Sequence, residues 1–370
     1  MDFEFSAEQT ALRDLAREFL GREWTPARVR AAIETESGYD EGFWREMARL
    51  GLQGIPIPER YGGQGLGMVE LALLLDEMGR HAYCGPYFAT ALLAASLIEA
   101  GGSEEQRRRW LTAIARGELR ATVALHEQDP APRLDGLSAR IARDRVAGVK
   151  RFVPHAASAD LILVVGGGGR VLAVERGAPG MAIEPTPTMD PTQRDALIRF
   201  EDTPGEPLPG RDGAVETMLR RAAVGASAEM LGAARRSMEM SVAYARTREQ
   251  FGQPIGAFQA VKHMCAEMLD EVEHSHAALY YAAWAQDAAA PDAGLAASVA
   301  KSFVSESARK VCGDAIQVHG GIGFTWEFDL HFFFKRAKHY EPLWGDADFH
   351  RERVLDLALA AEARREVVHG

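Results

Sequence analysis

The chain is poor in cysteine and has no long apolar run. Cys84, Cys265 and Cys312 are too few and too far apart for a disulfide framework or a cysteine-ligated metal cluster. We therefore expect a reducing compartment, the cytoplasm, and no bound metal. The longest apolar stretch, around Thr90–Leu97, is much shorter than the roughly 20 residues of a membrane-spanning helix. The acidic start, Met-Asp-Phe-Glu-Phe, lacks the layout of a signal peptide.

Positive charge is also scarce. The chain has 42 Lys and Arg against 53 Asp and Glu, a formal net charge of −11. This argues against a nucleic-acid partner, because phosphate backbones are bound by clustered cations. The basic run Arg107–Arg109 is interpreted as a solvated helix face. With 370 residues, 47% of them hydrophobic, the chain is long enough for two or three domains.

The first third of the chain carries helix signals. Ser6–Gln9 and Ser103–Gln106 both have the Ser-x-x-Gln pattern of a capping box, and Gly117 ends the helix that the second one begins. Helical spacing of apolar residues recurs at Met68–Gly79 and Ala89–Ala100. These signals predict an N-terminal helical domain over residues 1–117.

Short strands rich in Val, Ile and Leu come next, separated by Gly, Pro and Asp. They are predicted at Ala121–Leu125, Ala147–Val153, Leu161–Val165, Val171–Val174 and Ala196–Phe200. Gly166–Gly169 is predicted to be a hairpin tip rather than a phosphate loop, because no Gly-Lys-Ser/Thr follows it. The Pro- and Gly-rich stretch 204–213 is the predicted linker that closes a small β-barrel or β-sandwich domain, residues 118–213.

Long, Ala-rich helices are predicted from residue 214 onward. Pro291 separates the second of them from the third, and Gly320 and Gly321 end the third. Such helices with short connections predict a C-terminal four-helix bundle over residues 214–370. The fold class is therefore α+β, with its helical and sheet parts segregated along the chain.

Two segments are more specific than any packing pattern. Tyr244–Gln259 reads Tyr-Ala-Arg-Thr-Arg-Glu-Gln-Phe-Gly-Gln-Pro-Ile-Gly-Ala-Phe-Gln, and Gln317–Phe324 reads Gln-Val-His-Gly-Gly-Ile-Gly-Phe. Supporting segments lie at Ile57–Gly65, Gly148–Val153 and Lys335–Lys338. In these segments, and in their order over nearly the whole chain, the sequence resembles the acyl-CoA dehydrogenase family.

The resemblance implies FAD as cofactor and α,β-dehydrogenation of an acyl-CoA thioester. In that reaction a glutamate removes the α-proton while the β-hydrogen leaves as hydride, and the electrons then pass to an electron-transferring flavoprotein. It also implies flavin contacts for Arg248, Gln250, Phe251, Phe258, Gln259, Gln317, Gly320, Gly321, Phe152 and Val153. The chemistry suits a pyrophosphate, since Arg248 supplies a guanidinium and the two glycines allow close backbone approach.

The family's residues for proton removal are missing from this sequence. The usual glutamate is replaced by Trp344, which cannot accept a proton. A minority of the family has its base on the first bundle helix, where this chain has Ala222. Glu216 and Glu229 share that helix but are displaced by roughly 9–10 Å along its axis, at 1.5 Å per residue. We predict that both are solvated.

The β domain departs from the family as well. Pro154 stands where a serine or threonine would donate a hydrogen bond to flavin N5, and proline has neither a hydroxyl nor an amide hydrogen. The loop that contacts flavin and acyl group is altered, at His126–Pro132. Contacts that a subunit lends to its partner's flavin are therefore kept, while those for its own chemistry are lost.

Three hypotheses follow from this asymmetry. The chain is the degenerate subunit of an α2β2 heterotetramer whose sister dehydrogenase supplies the base, as in some bacterial members of the family. Alternatively, it is a self-sufficient homodimer or homotetramer with a displaced base, for which Asp346 is the candidate. Third, it is a flavin-free relative that serves assembly or acyl-CoA binding without catalysis.

Overall fold

The computed structural model describes residues 4–210 and 213–369 and confirms an α+β fold. The N-terminal part is helical. Its helices are α1 (Ala7–Glu23), α2 (Pro26–Ile33), α3 (Glu41–Arg49), α4 (Met68–Arg80), α5 (Ala95–Gly101), which follows a π-helical turn at Phe88–Ala94, and α6 (Glu104–Ala115). The middle part contains β1 (Ala121–Ala124), β2 (Arg140–Ala142), β3 (Arg145–Pro154), β4 (Leu161–Val165), β5 (Val171–Glu175), β6 (Met181–Thr186), β7 (Asp195–Pro204) and β8 (Glu206–Pro207).

The C-terminal part is again helical, with one short hairpin. It comprises α7 (Ala214–Thr247), β9 (Glu249–Gln250), β10 (Gln253–Pro254), α8 (Gln259–Asp287), α9 (Ala293–His319), α10 (Leu330–Tyr340) and α11 (Ala347–His369). The predicted roles of Pro291, between α8 and α9, and of Gly320, directly after α9, are confirmed. None of the helices in the described part of the chain combines the length and apolar character of a membrane span.

Local sequence accounts for the helix starts. Both capping boxes are confirmed: Ser6 Oγ accepts from the amide of Gln9 at 3.2 Å, and Ser103 Oγ accepts from the amide of Gln106 at 3.2 Å. The helices α2 and α3 were not predicted. They have eight and nine residues, and apolar periodicity is read over windows of about 11–18 residues.

The middle strands form two four-stranded sheets, in the orders β1-β4-β5-β8 and β2-β3-β7-β6. All pairs are antiparallel except β1–β4. The hairpin tip at Gly166–Gly169 is confirmed, because Val165 pairs with Val171 on either side of it. Buried side chains from both sheets share one core, as in a β-sandwich; they include Ala124, Ile162, Val164, Leu172, Ile141, Val146, Val153, Ile198 and Phe200.

The described chain separates into two compact units. One takes its residues from Met1–Pro26, Ala72–Tyr83 and Ala223–Gly370, and the other from Ala27–Leu71 and Cys84–Ala222. Arg211 and Asp212 of the predicted linker lie outside the described residues. The boundaries predicted after residues 117 and 213 stay predictions.

Within the first unit, α4 and α7 cross with their backbones in contact. An ideal Cβ on Gly79 would lie 2.1 Å from the carbonyl oxygen of Glu229. Reciprocally, a Cβ on Gly232 would lie 1.9 Å from the carbonyl oxygen of Asp76. Both distances are far inside van der Waals contact, so only glycine permits this crossing.

We predict that Gly232→Ala destabilises the protein by about 1–3 kcal/mol or more, because the helices must separate to admit a methyl group. Gly313→Ala is the matched control. Gly313 is also a helical glycine, in α9, but its Cβ would meet only Phe334, at 3.9 Å. That variant should be neutral or gain about 0.4–1 kcal/mol. Chemical denaturation of both variants checks this, and equal midpoints would contradict the close crossing.

Candidate functional site

A short hairpin follows α7 and carries two of the predicted flavin contacts, Gln250 and Phe251. In it, Gln250 pairs with Gln253, and Phe251 and Gly252 occupy the turn with φ of 54° and 81°. Left-handed values at both positions are those of a type I′ turn. Phe251 is 93% exposed, and its ring stands edge-on to Phe258 at 6.1 Å.

Arg248 stands at the base of this hairpin. Its amide donates to the carbonyl of Tyr244 at 2.8 Å, and its own carbonyl accepts from the amide of Ile255 at 2.8 Å. The guanidinium is exposed and has no ion pair or hydrogen bond with any residue the structure describes. Gln259, exposed, begins α8 directly after Phe258, and no side chain caps that helix. The backbone is thus fixed while the charge faces solvent.

The end of α9 lies beside the end of α7, because the rings of Tyr244 and His319 stack with centroids 4.5 Å apart. Gln317 is exposed one turn before Gly321. Gly320 has φ 65° and ψ −145°, a conformation essentially restricted to glycine. A Cβ on Gly320 or Gly321 would meet no atom within 4 Å, so the turn is an open cradle.

We call the surface made by Arg248, Gln250, Phe251, Gln317, Gly320 and Gly321 the hairpin–turn surface. It combines a cation that pairs with nothing in the described part of the chain, exposed amide side chains and glycine backbone that a ligand can approach closely. Such a set fits an anionic ligand like a pyrophosphate.

The predicted contacts in the second unit lie on a bulge of β3. Lys150 pairs with Ile198 but Val153 pairs with Ala196, and Phe152 between them has φ 51°. Phe152 is half-buried, whereas the side chain of Val153 packs in the sandwich core, so only its backbone can face a ligand. The carbonyl of Pro154 accepts from Thr122 Oγ1 at 2.6 Å. Pro154 therefore offers no donor, and its carbonyl already accepts one hydrogen bond.

The loop after β1 is anchored by Glu127, although its sequence departs from the family. The carboxylate accepts from Lys150 Nζ at 2.7 Å, from the amide of Ser138 at 2.7 Å and from the amide of Ala139 at 2.9 Å. Burial would raise the pKa of Glu127, but these donors lower it to about 2. The cavity within the loop measures about 210 Å³, less than the roughly 300–1,000 Å³ of small-molecule sites.

The turn between α10 and α11 contains the expected base position, and Lys301 of α9 holds it. Lys301 is fully buried, and its Nζ donates to the carbonyls of Gly345 at 2.7 Å and of Tyr340 and Glu341 at 3.1 Å each. Burial lowers the pKa of Lys301 to about 7, against the opposing charges of Asp346 and Glu341. Three carbonyls of one turn are thus bound by a single side chain.

His350 of α11 holds the same turn from the other side. Its Nε2 donates to the carbonyl of Trp344 at 2.9 Å, and Trp344 itself is buried with φ 64°. A Cβ on Gly345 would come within 2.7 Å of His350 Nε2. Asp346 is exposed and acts as the cap of α11, its Oδ1 accepting from the amide of Phe349 at 2.8 Å.

The prediction that Glu229 is solvated is wrong. Glu229 is 3% exposed, and its carboxylate accepts from Arg336 Nη1 at 2.5 Å. Arg336 Nη2 also donates to the carbonyl of Tyr83 at 2.8 Å. Helical spacing places a residue on a face but does not say what covers that face. Glu216 is exposed, as predicted, and Ala222 is buried.

Sequence reasoning gave no role to Lys301, His350 or Arg336. A signal existed for Lys301: it is the only basic residue between Ala293 and Ala308, a stretch otherwise mostly small or apolar. Arg336 lies inside the quoted Lys335–Lys338 segment, but no local pattern names its partner, which is 107 residues away.

We predict that His350 makes the protein acid-sensitive. Burial lowers the pKa of His350 from 6.5 to about 4, aided by Lys301 and Arg353 and opposed by Asp346. The folded state then binds this proton less readily than the unfolded chain, so stability is lost as the pH falls from about 6.5 towards 4. At pH 5 the loss from one such histidine is about 2 kcal/mol.

His350→Gln should therefore make the loss of stability between pH 7 and pH 5 smaller by about that amount. His263→Gln, at an exposed position of α8, is the control and should leave the pH dependence as in wild type. Unfolding free energies at the two pH values measure the effect. An unchanged slope in His350→Gln would contradict the assignment.

Family models cover most of the chain. The model for the acyl-CoA dehydrogenase N-terminal domain matches residues 6–118, and that for the C-terminal domain matches residues 211–359. Acyl-CoA dehydrogenase IpdE2 of Mycobacterium tuberculosis is 32% identical over 331 residues, 89% of this chain and 91% of that protein. Acyl-CoA dehydrogenase FadE34 of the same organism is 34% identical over 367 residues, which are 97% of this chain but 49% of FadE34.

Solved structures agree with this assignment. The Tcur3481–Tcur3483 steroid acyl-CoA dehydrogenase superposes with a TM-score of 0.88 at 34% identity, covering 96% of this chain and 99% of that one. The ChsE4–ChsE5 complex from Mycobacterium tuberculosis gives a TM-score of 0.87 at 28% identity, with 96% and 98% covered. Family models, relatives and fold converge, and the chain belongs to the acyl-CoA dehydrogenase family, whose members are FAD-dependent oxidoreductases of acyl-CoA thioesters.

Proposed function

We propose that this chain is one subunit of a two-chain acyl-CoA dehydrogenase, in which a sister dehydrogenase chain supplies the catalytic base. The single observation that carries the proposal is the turn at residues 340–346. Lys301 and His350 bind this turn, and the side chain at the position where the family resemblance expects the base is the buried indole of Trp344. An indole cannot remove the α-proton of a thioester.

The carboxylates nearest in sequence to Trp344 are engaged elsewhere. Glu341 accepts from Arg309 at 2.9 Å and from Lys338 at 2.5 Å, one partner for each of its oxygens. Asp346 caps α11. A general base needs an oxygen that can reach the substrate, and these two groups are bound to other donors.

The hairpin–turn surface is this chain's proposed contribution to FAD binding. Arg248 would pair with the pyrophosphate, and Gly320 and Gly321 would let backbone approach it. Gln250, Phe251, Phe258, Gln259 and Gln317 would line the nucleotide end, and Phe152 with the backbone of Val153 would lie near the isoalloxazine. When bound, FAD supplies the acceptor for the hydride that leaves the β-carbon.

The relatives support a two-chain assembly. Two solved relatives carry paired chain names, Tcur3481–Tcur3483 and ChsE4–ChsE5, and the latter is described as a complex. FadE34 is about twice as long as this chain, because 97% of this chain matches 49% of it. A second chain of similar size fits the remaining half.

The remaining partners follow from the same proposal. The substrate is an acyl-CoA thioester, and an electron-transferring flavoprotein takes the electrons from the reduced flavin. We place the assembly in the cytoplasm, in keeping with three unpaired cysteines, Cys84, Cys265 and Cys312.

A self-sufficient homo-oligomer is the second candidate, with Asp346 as its base. One observation favours it: the carboxylate is exposed, two residues beyond the usual position, and only its Oδ1 accepts the capping bond. A shorter side chain must then reach further than glutamate and give up the cap.

We predict that Arg248→Ala lowers the FAD content of the purified assembly without unfolding it, since the guanidinium pairs with none of the residues that the structure describes. Arg246→Ala is the matched control. Arg246 is also exposed, but it lies within α7, two residues before Arg248 and outside the hairpin. Flavin absorbance after gel filtration is the readout. Equal flavin in both variants would refute the proposed role of Arg248.

A second prediction separates the two candidates. The wild-type chain alone, supplied with FAD and mixed anaerobically with acyl-CoA thioesters, should not bleach the flavin, whereas the co-expressed pair should. Trp344→Glu should not restore bleaching to the chain alone, because Pro154 still lacks a donor.

If the isolated chain does bleach flavin, Asp346→Asn decides the base. Asparagine is as good an N-cap as aspartate, so α11 is preserved while proton acceptance is lost. Bleaching by wild type that Asp346→Asn abolishes would establish the homo-oligomeric candidate. A chain that binds no flavin alone or with any sister chain would point to a flavin-free relative.

A further inference from the structure

Tyr244 and His319 connect two segments that the proposed flavin contact uses separately. Tyr244 lies one helical turn before Arg248, and His319 directly precedes Gly320. Their rings stack at 4.5 Å with an interplanar angle of 24°. Between these two residues the chain runs through α8 and most of α9, so the ends of α7 and α9 meet only through tertiary contact.

The imidazole of His319 is held in one orientation. Its Nδ1 donates to the carbonyl of Ala315 at 2.7 Å, and Phe328 packs against it at 5.0 Å. The ring is 5% exposed, and burial lowers the pKa of His319, so the neutral form stacks on Tyr244. Nε2 is buried and makes no hydrogen bond with a described residue. The imidazole ring is thus held in one orientation at the end of α9.

Tyr244 is less buried than His319, and its backbone is bonded to the residue that begins the hairpin. Tyr244 is half-buried, and its hydroxyl bonds no described residue. Its carbonyl, however, accepts from the amide of Arg248 at 2.8 Å. A shift of the Tyr244 ring therefore moves the base of the hairpin, while a shift of His319 moves Gly320.

We propose that the Tyr244–His319 stack is a clasp that sets the spacing between Arg248 and the Gly320–Gly321 turn. Both residues are positioning residues that leave the ligand to the hairpin–turn surface. The proposal rests on the proposed function, because a pyrophosphate needs cation and glycine backbone at a fixed separation. A loosened clasp would leave both binding groups present but misplaced.

The clasp predicts coupling between distant amides in the full chain without flavin. Tyr244→Leu removes the stack and should speed hydrogen–deuterium exchange in residues 249–255 and also in residues 320–325. The amides to follow are those of Ile255, Gly320 and Thr325, which are hydrogen-bonded in these segments. Tyr244→Phe keeps the ring and should match wild type.

Tyr281→Leu is the matched control. Tyr281 is another half-buried tyrosine with an aromatic neighbour, Trp284, on α8. This variant should leave both segments at the wild-type exchange rate. Exchange in 320–325 that Tyr244→Leu leaves unchanged would overturn the clasp.

A reciprocal variant covers the case in which Tyr244→Leu does not fold. His319→Asn retains an amide that can donate to Ala315 but loses the ring. It should speed exchange in the hairpin, residues 249–255, far from the substitution in sequence. Unchanged exchange there would likewise refute the proposal.

Flavin content of the co-expressed assembly completes the test. Tyr244→Leu should weaken FAD retention about tenfold or more, by misplacement alone, and Tyr244→Phe should restore it. If Arg248→Ala loses flavin but Tyr244→Leu keeps it, the clasp is wrong and the proposed function stands. If exchange is coupled but neither variant loses flavin, the clasp exists and the proposed flavin contact fails.

Discussion

The backbone contact between α4 and α7 is the constraint on which the first unit depends. Gly79 and Gly232 allow the two helices to touch, with no side chain between them. The contact fixes Glu229 where it can pair with Arg336, and Arg336 in turn binds the carbonyl of Tyr83. A buried charge left without its partner costs several kcal/mol. The crossing therefore fixes the place of α10 through the Glu229–Arg336 pair, and with it the start of the turn that follows α10.

That turn is held by buried side chains from the two neighbouring helices, Lys301 of α9 and His350 of α11. Lys301 and His350 both bind backbone carbonyls of the turn rather than its side chains. A buried lysine bound to three carbonyls is costly to remove, since each acceptor would be left unsatisfied. Trp344 takes part in this network through its carbonyl, which accepts from His350, while its indole cannot accept a proton.

The hairpin–turn surface differs from that turn, because its side chains face solvent instead of holding backbone in place. Phe251 exposes an aromatic ring in a left-handed turn, and Arg248 carries a charge that no residue in the described ranges pairs with. Neither feature stabilises a monomer. An exposed aromatic ring and a solvent-facing cation on one surface are the features of a site that a ligand or a second chain covers.

The sequence by itself determined the helix starts at Ser6 and Ser103, the order of helical and sheet parts, and the segments that identify the family. These are local patterns, since a capping box or a strand's alternation is complete within a few residues. Only the tertiary structure decided that Glu229 is buried against Arg336, that Lys301 binds the turn at Gly345, and that Tyr244 stacks on His319. Each of those pairs joins residues at least 40 positions apart, and which distant partner a side chain meets is set by the packing of whole helices, which no local pattern encodes.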